Sequence, residues 1–177
     1  MLFKILKRIL FFVILNALVL MNINWHTFFS NYANLLNFPL LFFLTLTIIN
    51  PKQTHYFGAI YTFILSDLFF SAPFGLYSLS QILALLFINW LLLNVFTNRS
   101  LAIVFLNGFL VIMTCRLIYI FLLFLNSTIK NQPIFDWIFT IKIFLIEALV
   151  NAVALGVIYF VSLIFVKRLH PEYISIR

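Results

Sequence analysis

Four ionisable side chains sit inside long apolar runs of this 177-residue chain: Asp67, Arg116, Lys142 and Glu147. Charges at membrane depth are rare and costly, and they mark sites of pairing, transport or proton relay. Arg116 and Glu147 fall about nine and ten residues from the expected outer ends of consecutive antiparallel helices, roughly 14–15 Å deep at helical rise. Their depths match, and both lie too far in to snorkel. A buried ion pair between them is therefore expected, with Asn151 as a further polar neighbour. Lys142 and Asp67 lie nearer the outer ends and also match in depth. Lys142 can reach the headgroups along its own aliphatic stem. Asp67 can accept backbone N–H bonds where its helix ends.

No other residues assemble into a reaction centre. His26, His55 and His170 fall in segments on opposite sides of the expected membrane, so they share no metal. A single cysteine, Cys115, precludes an intrachain disulfide or a cysteine metal site. No Ser-His-Asp set, Gly-rich phosphate loop or pair of close carboxylates is visible. The sequence thus predicts neither enzyme activity nor a cofactor or metal.

The elements that must hold these charges are membrane helices. Hydrophobic residues make up 65% of the chain and charged residues 8%. A soluble domain carries roughly 25% charged residues, so lipid must be the solvent for most of the surface. The net charge of +7 is no nucleic-acid signal, because the basic residues are scattered between apolar stretches. The pattern predicts an all-α, single-domain polytopic bundle of about six transmembrane helices, over residues 6–23, 35–49, 56–70, 78–96, 101–125 and 137–166. The second of these is about 15 residues, roughly 22 Å, shorter than the roughly 30 Å hydrocarbon core. It either starts earlier or packs as a short element within the bundle. Pro51 stops it, and Pro73 with Gly75 turns the chain after the third.

Lysine and arginine set the orientation. Lys4, Lys7, Arg8, Lys52, Arg99, Lys167, Arg168 and Arg177 fall on one side, and Lys130 alone on the other. The rich side is expected to be cytoplasmic, with both termini there and 126–136 facing out. In the last helix Ala148, Ala152 and Gly156 recur every four residues. Small residues at that spacing let helix backbones approach closely. Glu147 and Asn151 flank the strip as polar glue, so the face suits a neighbouring helix of this chain or of a partner.

Around helices two and three the chain resembles the MreD family of bacterial rod shape-determining proteins. The run is Phe38-Pro39-Leu40-Leu41, a short basic loop to Tyr56-Phe57-Gly58, then Ser66-Asp67-Leu68 and Pro73-Phe74-Gly75-Leu76-Tyr77. Asp67 and Gly75 keep the family's eight-residue spacing, and Leu149-Val150-Asn151-Ala152 resembles its last helix. Phe63 departs from it, standing where the family often has a second glycine. The resemblance covers the layout of the whole chain but the motifs of only about 25 residues. It implies a non-enzymatic scaffold of the inner membrane, beside a bitopic MreC-like protein. Further partners would be MreB, a RodA-like glycosyltransferase and a class B penicillin-binding transpeptidase, in the complex that directs lateral peptidoglycan synthesis. A reading of a different class is a substrate-capture subunit of an energy-coupling-factor vitamin importer, with the outer-half charges lining a pocket.

Overall fold

The computed structural model describes residues 2–28, 35–49, 56–69, 73–96, 100–130 and 137–165, all helical or in short turns between helices. Among the described residues six helices follow one another: α1 (Leu2–Phe28), α2 (Phe38–Ile49), α3 (Tyr56–Asp67), α4 (Leu76–Asn94), α5 (Leu101–Lys130) and α6 (Trp137–Phe165). Among the described residues there is no strand. The side chains of Lys4, Lys7, Arg8, His26 and Lys130 lie outside the described set, as do residues Lys52, His55, Arg99, Lys167, Arg168, His170 and Arg177. Three stretches are long and apolar enough to cross a membrane, Leu76–Asn94, Leu101–Thr128 and Lys142–Ser162. Shorter apolar stretches run over Ile9–Trp25 and Phe38–Ile49.

The helix bounds depart from the sequence expectation where side chains intervene. α5 runs on to Lys130, five residues beyond its expected end. Ser127 and Thr128, which read as loop residues, donate their hydroxyls to the carbonyls of Phe124 and Leu125 and so stay within the helix. α3 stops at Asp67 because that side chain turns to serve the following turn. α2 starts three residues later than expected, at Phe38, because Asn37 caps it.

α2 occupies the centre. Its 12 residues rise about 18 Å, and it packs against each of the other five helices. A helix apolar on all sides belongs in such an interior. Thr45 and Thr47 are accommodated by donating to the carbonyls of Leu41 and Phe43. Phe63, the departure from the family pattern, is fully buried and meets the Phe43 ring edge-on at 5.8 Å. Its bulk fills the space between α2 and α3. Around this centre α1 packs on α3, α3 on α4, α4 on α5, and α5 on α6.

Two contacts fix the register of the last three helices. Cys115 Sγ lies 3.7 Å from Ser80 Oγ, aligning α5 with α4. A Cβ built on Gly108 would meet Leu155 Cδ2 at 2.8 Å and the Ala152 backbone at 3.1 Å, aligning α5 with α6.

Candidate functional site: a polar knot at the head of α2

Because α2 is a half-length helix, its N-terminus opens within the bundle. A helix start leaves its first N–H groups without partners, and inside an apolar bundle each orphan costs about 1–3 kcal/mol. Here every one is accounted for. The Phe38 N–H donates to Asn22 Oδ1 of α1 at 3.2 Å. Pro39 has no N–H to lose. The Leu40 N–H donates to Asn37 Oδ1 at 3.2 Å, the geometry of an N-cap. The Leu41 N–H reaches the Asn37 carbonyl at 3.0 Å.

Asn37 is itself held from two sides. Its backbone N–H donates to Asn151 Oδ1 at 3.0 Å, and its amide donates to the Tyr77 hydroxyl at 3.1 Å. Asn151, in turn, donates to the carbonyls of Leu35 at 2.6 Å and Glu147 at 2.9 Å. Four helices, α1, α2, α4 and α6, thus meet at one buried point. Sequence reasoning placed Asn151 here in kind, as polar glue, but missed Asn22 and Asn37. The usable signal for Asn37 was Asn-Phe-Pro at the head of an apolar run, a capping residue with proline in the first turn.

One turn towards the start of α6 lies the ion pair. Arg116 Nε and Nη2 each donate to a separate Glu147 carboxylate oxygen at 2.6 Å, a bidentate fork. The Glu147 side chain is 4% exposed and that of Arg116 is 26% exposed. The guanidinium also lies 5.3 Å from the Phe144 ring centre and 5.8 Å from that of Tyr119, within cation–π reach. Asn37, Tyr77, Ser80, Cys115 and Tyr119 line a narrow crevice beside the pair.

Asp67 does not pair with Lys142, and it makes the backbone bond expected where its helix ends. It accepts from the Gly75 N–H at 2.5 Å and from the Ser78 hydroxyl at 3.0 Å, tying the end of α3 to the start of α4. Gly75 takes φ +95°, a conformation that costs an L side chain about 1–2 kcal/mol. The eight-residue spacing of Asp67 and Gly75 is therefore the span of one closed turn. Lys142 is exposed on α6.

The small-residue strip of α6 is divided. Ala148 and Ala152 are fully buried, and Ala152 faces Gly108 of α5. Gly156 lines an open apolar groove with Leu101, Ala102 and Phe105 of α5, with free space where a Cβ would go. Gly108→Val should therefore force α5 from α6 and lower the midpoint of detergent unfolding, while Gly156→Ala should leave it unchanged. Equal effects of the two substitutions would contradict this packing.

Among the described residues no group of three or more His, Cys, Asp or Glu is placed to hold a metal ion. No protein-family model, curated protein or solved structure matches the chain.

Proposed function

We propose that this chain is a non-enzymatic membrane scaffold of the MreD type, acting in the bacterial cell-elongation complex. The observation that carries the reading is the Asp67–Gly75 turn. The two residues whose spacing gives the resemblance are bonded to each other, and Gly75 holds a conformation that favours glycine. The other quoted residues join the same framework. Pro39 opens α2 without an orphan N–H, Tyr77 accepts from Asn37, and Asn151 holds both ends of the linking turn. In this reading the polar residues fix a rigid, short-looped bundle whose helix faces are left for partners.

The chain sits in the cytoplasmic membrane with both termini inside, so the α5–α6 end faces outward. Its partners are an MreC-like bitopic protein and, through it, MreB, a RodA-like glycosyltransferase and a class B transpeptidase. The importer alternative would place its substrate in the crevice beside Arg116, but that crevice has no room for even a water molecule, and Arg116 and Glu147 already neutralise each other there. Affinity purification of the tagged chain from host membranes separates the two readings. Recovery of an MreC-like protein is expected. Recovery of a pair of ATPase subunits with a vitamin-binding activity would contradict the scaffold.

A further inference from the structure

α5 and α6 meet tightly at one point and part towards the start of α5. A Cβ built on Gly108 would meet Leu155 and the Ala152 backbone, whereas one built on Gly156, a turn further along α6, would meet nothing. Between the parted helices lies a groove of about 480 Å3, and every residue that lines it is apolar. Ala102 of α5 and Gly156 of α6 leave the space by their small size. Leu101, Phe105, Val157 and Phe160 line it as well and are exposed, so the groove opens on the outside of the bundle.

That outside is lipid, and an unfilled apolar space there forfeits the contacts of the atoms around it. Membrane helices associate through hydrogen bonds and through strips of small residues that let backbones approach. The groove offers a partner helix no polar atom, and its two small residues stand on different helices rather than along one. An alkyl chain needs neither feature. A methylene takes about the volume of a water molecule, roughly 30 Å3, so the groove has room for about sixteen, one acyl chain. The chain also carries positive charge at this end. Arg99 precedes Leu101 by two residues, and Lys167 and Arg168 follow Phe165, the last residue of α6, by two and three. All three lie outside the described residues. Two or three residues reach at most about 7–11 Å, so the three cations are tethered at the end where the groove opens. Basic residues between membrane helices at such an end hold the headgroups of anionic lipids.

We propose that the α5–α6 groove binds one anionic phospholipid, with an acyl chain in the groove and the phosphate at its basic end. The lipid continues the packing of α5 on α6 beyond the close contact of Gly108 with Ala152. This inference does not depend on the scaffold reading.

The test uses the full chain reconstituted in phosphatidylcholine vesicles that contain a dibrominated lipid, either phosphatidylglycerol or phosphatidylcholine. Bromine quenches tryptophan on contact. Trp25, Trp90 and Trp137 are replaced by Phe, and one reporter is introduced, Phe160→Trp in the groove or Ile64→Trp on the exposed face of α3. At Phe160→Trp brominated phosphatidylglycerol should bind about fivefold more tightly than brominated phosphatidylcholine, the attraction of about one basic residue at an anionic surface. At Ile64→Trp the two should bind about equally. Gly156→Leu, which puts a side chain into the open space, should abolish the preference at Phe160→Trp. So should Arg99→Gln/Lys167→Gln/Arg168→Gln. The same ratio at both reporters would overturn the proposal, leaving boundary lipid only. Absence of quenching by either lipid at Phe160→Trp would also overturn it, showing a protein cover such as a second copy or a partner's helix. A preference that survives Gly156→Leu or the triple change would separate the charge from the groove and overturn it equally.

Discussion

Replacing Arg116 or Glu147 singly is expected to unfold a large fraction of the protein in membranes, while replacing both recovers most of it. Each single change leaves a charge with no partner between α5 and α6. Breaking a buried pair this way costs about 3–5 kcal/mol, whereas exchanging both members for apolar side chains of similar size is often neutral. Met suits both positions because its flexible stem fills irregular space. Sodium dodecyl sulfate unfolding of Arg116→Met, Glu147→Met and the double variant measures the cycle. Additive losses would mean that the 2.6 Å contacts contribute nothing jointly, contrary to a pair that is fully coupled.

The pair was legible in the sequence because two constraints acted on it together. Consecutive helices joined by a short loop lie side by side, and charges within apolar runs seek partners. Depth along the helix was the less accurate part. α5 is longer than its apolar pattern, since Ser127 and Thr128 bond back into it, so Arg116 sits near the middle of the helix. Matching depth did not pair Asp67 with Lys142; Asp67 took the backbone bond expected of it where its helix ends. A local backbone donor, the Gly75 N–H, lay closer to Asp67 than any side chain on a distant helix. Local bonds won because they need no second helix to be positioned.

The head of α2 was harder to read. Its helix length was visible as too short to span, but nothing in the order of residues shows that Asn22, Asn37, Tyr77 and Asn151 converge. The bonded pair Asn37 and Asn151 lies 114 residues apart along the chain, and the contacts exist only once four helices have packed. The α6 strip shows the same limit. Spacing of four placed Ala148, Ala152 and Gly156 on one face, yet Gly108, the residue that makes Ala152 a close contact, lies on another helix. Gly156 lies further along the same groove, beside Leu101 and Phe105 of α5, where the two helices are less tightly packed.

The largest effect is expected in the cell. An MreD-type scaffold holds the wall-elongation enzymes to the sides of a rod, so its loss removes directed lateral synthesis without removing any catalytic group. Clean deletion in the host, followed by phase-contrast microscopy over several generations, is the direct test. The proposal expects rods to widen and become round, with shape restored by the wild-type chain supplied in trans. Rod shape that persists after deletion, together with loss of uptake of a vitamin, would contradict it and favour the importer.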